Sequence, residues 1–403
     1  MSSTTSDPRL SSSRGAPRKG MQLSWADPKF RAIIWQIVIV GIIGGTIWYL
    51  VANTTANLAQ RRIATGFEFM GRTAGIPIGE HLIAYDPSIN TYGRAFVIGI
   101  LNTLQVTVIG VVLVTFLGTF VGIASLSGNW LLSRLCRTYV EIMRDIPLLL
   151  HLLFWYTMVL GLPILREAIE VLPGVHISNN GVKVPLLDWQ PAHSWASLAF
   201  IVGLVLVGIA RRRATRIQNA TGDRPKVWPL AIAALILVPA IIWLGFGAPF
   251  HMDMPVKGRF RFEGGGAVSG EMIALLIGLV LYHSAYAAEI VRSGITSVVS
   301  GQWEAAGALG LHRPTVLRKI VLPQALRVII PPMTSTYLGV AKNSSLAVAI
   351  GYPDLVAIVN TMLNQTGQAI EGIALIMGVY LTISLAISLF MNWYNARIAL
   401  VER

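Results

Sequence analysis

Runs of about 20 nearly uninterrupted apolar residues constrain this chain more than any other feature. A helix rising 1.5 Å per residue needs about that length to cross a hydrocarbon layer of ~30 Å. Eight stretches reach or approach it, near 32–52, 95–126, 146–162, 195–210, 228–246, 271–290, 328–350 and 372–393. Their apolar character is continuous rather than alternating, which predicts helices and not barrel strands. The first run begins too late and extends too far for a signal core, so it is read as an uncleaved span. Only 13% of the 403 residues are charged, against about 25% in soluble domains. One large soluble core is therefore excluded.

The formal charge of +13 gains meaning only once its carriers are located. With the N-terminus inside, the inner segments hold 22 Lys and Arg, the outer loops hold 9, and Lys342 falls within a span. Acids run the other way, 8 inside and 11 outside. This is the positive-inside asymmetry. Its clearest marker is Arg211-Arg212-Arg213, followed by Arg216, Arg224 and Lys226. The charge thus predicts both termini in the cytoplasm, with anionic lipid as the chain's neighbour and no nucleic-acid partner. Residues 1–31, rich in Ser, Pro, Arg and Lys, read as a disordered basic tail.

Several chemistries are missing from the sequence. No G-x-x-x-x-G-K-[ST] loop is present to cradle ATP phosphates. Neither H-E-x-x-H nor G-x-S-x-G occurs, and the 7 histidines include no pair at i, i+4, so neither a metal nor a catalytic site is expected. Cys136 stands alone, which rules out an internal disulfide and suits inert packing. Gly264-Gly265-Gly266 reads as a flexible turn in an outer loop.

One inter-span segment differs from the rest: Glu304 to Pro323, EAAGALGLHRPTVLRKIVLP. Its residues predict a short helix with Glu304 in the first turn, where a carboxylate suits the positive dipole end. Gly310 stops that helix in a left-handed conformation, and Pro314 starts a second. Arg318 and Lys319 fall in the last turn of the second helix, which Pro323 ends. A rigid elbow of small residues suits docking into a groove. An amphipathic loop resting on headgroups fits the same pattern.

The spacing Glu304-Ala305-Ala306, Gly310, Ile320, Leu322-Pro323 resembles in full the EAA loop of ABC-importer permeases. The flanks Ser284–Arg292, Leu322–Arg327 and Lys342–Leu346 look like the polar amino-acid branch of that family, as do Asn102-Thr103-Leu104 and Glu141–Pro147. The resemblance covers about 95–160 and 271–395. A long insert between these parts is similar to general L-amino-acid permeases of Gram-negative bacteria. It implies an all-α MetI-like type I importer fold of about eight spans, five of them core. The expected segments are an extra N-terminal span and periplasmic loop (32–94), a first core part (95–162), an inserted pair of spans (163–270), a second core part (271–395) with its coupling loop at 301–323, and a C-terminus at 396–403. It also implies that the EAA loop seats in a separate ATPase, which binds ATP and Mg, so this chain carries no cofactor. A periplasmic amino-acid-binding protein would deliver cargo, and a second permease chain would complete the pathway; the added helices favour a heterodimer.

Polar groups inside spans are costly and therefore candidates for function. Lys342, Asn343, Ser344 and Ser345 are consecutive within the seventh run, about 20 Å along it at 1.5 Å per residue. Lys342 is a candidate pathway cation or a lysine snorkelling to the interface, with the serines bonding back to their own helix. His151 is a pathway candidate or a satisfied core residue. Asn102, Thr103 and Gln105 suit bonds across helices. Glu289 and Arg292, three apart, are expected to pair and brace the coupling loop, as are Arg144 and Asp145 beside Pro147. An ion-coupled secondary transporter would need acids in mid-span and repeated broken helices. A membrane-embedded enzyme would need a converging catalytic set. Neither pattern is present in the sequence.

Overall fold

The computed structural model describes residues 25, 28–60, 65–223, 225–258 and 262–398. Most of the expected basic tail, Arg224 and the end of the C-terminal segment lie outside the described residues. The chain groups into two units, 1–67 and 68–403. The first holds α1 (Pro28–Gln60), about 50 Å long at 1.5 Å per residue.

The second unit contains α2 (Tyr92–Ala124), α3 (Trp130–Asp145), α4 (Leu148–Leu160), α5 (Pro191–Thr221), α6 (Trp228–Ile232) and α7 (Val238–Gly245). It continues with α8 (Gly270–Thr296), α9 (Ser300–Ala308), α10 (Arg313–Val316), α11 (Leu322–Asn343), α12 (Leu355–Thr366) and α13 (Ala369–Ile398). Six helices among the described residues are long and apolar enough to cross a membrane, and eight if two bent pairs each count as one crossing. The first pair, α3 and α4, turns through 104°. Pro147 causes this corner, because the residue before a proline is pushed out of helical conformation and Ile146 is extended at ψ 127°. The second pair joins the α11 rod to α12 at 53°.

α2 and α8 are the central pair of the bundle. α2 lies along α8 by means of small residues, which let membrane helices approach where no hydrophobic force drives them together. A Cβ on Gly122 would meet the Ala288 carbonyl oxygen at 2.7 Å, and one on Gly99 would meet the Leu355 Cα of α12 at 3.0 Å. Buried Val114, Ala287, Val291, Ala325, Ile329 and Val340 form one core where α2, α8 and α11 meet. On the outer flanks Phe116, Phe120, Leu381, Leu389 and many similar side chains stay exposed, as a lipid-facing belt requires.

The all-helical expectation missed a β layer flanking the inserted helices. Strands β1 (Ile169–Leu172), β2 (Val175–Ser178), β3 (Gly181–Val184) and β8 (Gly266–Ser269) form an antiparallel sheet in that order. Two further short pairs join β4 (Leu186–Leu187) to β5 (Met252–Asp253) and β6 (Val256–Lys257) to β7 (Phe262–Glu263). The turn signals Pro173-Gly174 and Asn179-Asn180-Gly181 sit between the strands, but four-residue strands leave no trace in a count of long apolar runs. The triple glycine is a held turn rather than a flexible one: Gly264 and Gly265 have φ of +72° and +63°, and the Gly265 N–H donates to Asp253 Oδ2 at 2.8 Å.

Candidate functional site

The coupling segment begins one turn earlier than the sequence suggests. α9 starts at Ser300, so Glu304 lies in its second turn and not its first. Trp303 and buried Ala306 seat α9 on the core, while Glu304, Ala305 and Ala308 face outward. Gly310 adopts φ +67°, and the Leu311 N–H returns to the Ala306 carbonyl at 3.1 Å, the closure expected of a glycine that ends a helix. This stop leaves Leu309 77% exposed at the tip of the elbow. The rest of the segment departs from expectation. Pro314 does lie in the first turn of α10, but Pro323 ends no helix. A π turn at Leu317–Val321 carries α10 directly into α11, with Leu322 exposed and Ile320 packed on the core. A π turn absorbs the N–H that proline lacks, and the Gln324 side chain donates to the Ile320 carbonyl at 3.0 Å.

The pathway candidates divide. At the end of α11 the chain tightens into a 3-10 stretch, Ser344–Ile350. Ser344 and Ser345 bond back to the carbonyls of Ala341 and Lys342, at 2.8 and 2.7 Å. Lys342 is exposed. Asn343 reaches across to α8, its Nδ2 lying 3.1 Å from His283 Nε2. His151 is buried, with Nε2 3.3 Å from the Met143 carbonyl and its ring edge-on to Tyr282, which is the core arrangement.

Glu289 and Arg292 form the expected pair, with Arg292 Nε and Nη2 donating to the two carboxylate oxygens at 3.0 and 2.5 Å. Arg144 lies against α8. Its guanidinium lies over the Tyr286 ring, 5.0 Å from the centroid. Asp145, exposed beside it, lines the same cavity as Arg137, Arg144 and Glu289. Tyr286 and His283 carry no individual signal in the sequence beyond a helical i, i+4, i+7 stripe of Tyr282, Tyr286 and Glu289.

Asn102 and Thr103 do bond across elements. Asn102 Nδ2 donates to the carbonyls of Glu80 and Pro353, both at 2.9 Å, and Thr103 Oγ1 accepts from the Leu355 N–H at 3.1 Å. The Gln105 side-chain oxygen is buried with no such partner. The latch ties the 72–91 loop to the break before α12, where buried Asp354 caps the helix through the Ala357 N–H at 2.8 Å. Glu80 completes it by accepting from the Ser269 hydroxyl at the start of α8. Burial pushes the Glu80 carboxyl above the usual glutamate range, against the opposing pull of Ser269. Among the described residues no group of three His, Cys, Asp or Glu is arranged to hold a metal.

A family model described as "Binding-protein-dependent transport system inner membrane component" matches residues 114–400. The amino-acid ABC transporter permease protein YhdX of Escherichia coli (strain K12) is 48% identical, the match covering 94% of this chain and 97% of that one. The general L-amino acid transport system permease protein AapQ of Rhizobium johnstonii is 46% identical, with 94% of each chain covered. The glutamate/glutamine/aspartate/asparagine transport system permease protein BztB of Rhodobacter capsulatus is 39% identical over 96% of this chain and 98% of its own.

Proposed function

The chain belongs to the family of binding-protein-dependent transport system inner membrane components, and from this we propose that it carries L-amino acids inward as one half of a permease pair. It is a multi-pass membrane subunit of the MetI-like ABC-importer type and a transport component rather than an enzyme. Membership implies an ATPase and a substrate-binding protein as partners. The amino-acid cargo printed in the names of AapQ and BztB supports the same cargo class here.

The observation that carries the reading is the α9 elbow. Its inner side is pinned by Ala306 and Trp303, and its outer side offers Glu304, Ala305 and exposed Leu309 at a fixed glycine stop. A small rigid knob of this kind transmits a push without deforming. In the proposed cycle, closure of the ATPase subunits moves the elbow. α11 continues from the same segment without a break, so the motion passes directly to the helix that carries Asn343. The N-terminus, the elbow and the C-terminus lie on the cytoplasmic side, and a second, related permease chain completes the pathway.

The test is uptake by proteoliposomes holding the chain with its neighbouring permease, ATPase and binding protein. ATP-dependent accumulation of labelled amino acids is expected. Uptake that ignores ATP but collapses with an ion gradient would refute the proposal.

A further inference from the structure

Two cavities adjoin along α8. One, of about 520 Å³, sits between α3 and the end of α8 nearest α9, lined by Arg137, Glu141, Arg144, Tyr286, Glu289 and Arg292. The other, of about 480 Å³, lies between α8 and α11, where Tyr282, His283, Thr336 and Asn343 supply its polar wall. They have three residues in common: Arg144, Tyr286 and Glu289. The two cavities therefore adjoin at Arg144, Tyr286 and Glu289.

The junction is chemically distinctive. Glu289 is held by Arg292 through both carboxylate oxygens. Arg144 forms no ion pair among the described residues, where Glu289–Arg292 is the salt bridge present. Its guanidinium lies instead on the Tyr286 ring. A guanidinium is held over an aromatic face by attraction to the ring quadrupole. A carboxylate offers the same guanidinium charge-assisted, bidentate hydrogen bonds, which are the stronger class. The resting contact is thus firm enough to keep the arginine in place and weak enough for an anionic group to displace it. The Tyr286 hydroxyl lies 3.2 Å from that of Tyr282, which helps fix the ring.

We propose that Arg144 on Tyr286, with Glu289 beside them, is a gate between the two cavities that opens by partner exchange with a zwitterion. The substrate carboxylate draws Arg144 off the ring. The α-ammonium then meets the freed aromatic face and the Glu289 carboxylate. The carboxylate supplies Arg144 with the ion pair it lacks at rest, so a zwitterion passes where an amine without a carboxylate does not release the arginine. This inference rests on the amino-acid permease reading and assigns the residues that sort its substrates by charge.

The experiment uses the full complex in proteoliposomes, with the variants Tyr286→Leu, Tyr286→Phe and Arg144→Gln, each checked for co-purification with the ATPase. Passive leak of preloaded amino acid and ATP-driven uptake are measured together with ATP hydrolysis. Tyr286→Leu is expected to raise the leak several-fold, and Tyr286→Phe, which keeps the ring face, to restore the low leak. Arg144→Gln is expected to slow uptake about tenfold, the scale of one charge-assisted hydrogen bond, while ligand-stimulated hydrolysis persists. Wild-type leak in Tyr286→Leu together with wild-type uptake in Arg144→Gln would overturn the gate. Failure of the unaltered complex to import any amino acid would instead overturn the permease reading.

Discussion

The Cβ of Ala287 on α8 occupies the space that a side chain on Gly118 of α2 would need: a Cβ built on Gly118 comes within 2.4 Å of it. Four residues on, Gly122 faces the Ala288 carbonyl oxygen at 2.7 Å. The pair is a G-x-x-x-G contact, with backbone against backbone where α2 and α8 cross.

Gly118→Leu is expected to unseat this crossing. Overpacking in ordinary cores costs about 1–3 kcal/mol, and backbone contact leaves no flexible neighbour to yield. A fall in thermal midpoint and loss of the monodisperse peak in detergent are the readouts. Gly208→Ala is the control, because nothing lies within 4 Å of its Cβ position.

At the elbow, Gly310→Trp and Glu304→Lys are expected to abolish association with the ATPase while leaving membrane insertion intact. Space around Gly310 is open, with no atom within 4 Å of a Cβ placed there. The internal penalty is therefore limited to the left-handed backbone, about 1–2 kcal/mol. Normal co-purification of the ATPase with both variants would contradict the docking role.

Asn102→Leu removes the donor shared by the carbonyls of Glu80 and Pro353. An unpaired buried group costs about 1–3 kcal/mol. Faster amide exchange across residues 76–85 and a lower thermal midpoint are expected, with the α9 elbow unaffected.

Glu80 should make the outer latch sensitive to pH. Burial raises its folded pKa above the unfolded value, so the folded state holds the proton more tightly. The stabilisation is therefore present in acid and lost as pH rises through the raised folded pKa. Glu80→Gln should flatten that slope and lift stability at neutral pH. Thermal midpoints from pH 4 to pH 8, compared between the two proteins, check the sign.

The helical runs, the EAA spacing and the Glu289–Arg292 pair were legible because each is local: a run length, a fixed interval, two residues on one helix face. Glu304 was set one turn too early because the helix start at Ser300 carries no strong capping signal. Pro323 was read as a stop because the π turn that accommodates it depends on the packing of Val321 and Ile320 beneath. Asp354 drew no attention, since nothing in its own neighbourhood shows that α2 buries it.

By itself the sequence determined a membrane-spanning permease with a docking loop, because bilayer thickness and helix rise translate directly into run length and the loop motif is contiguous. Only the tertiary structure decided that Arg144 lies on Tyr286, where two cavities meet. That contact joins residues 142 positions apart on α3 and α8, and its existence depends on how two helices pack, which no periodicity encodes.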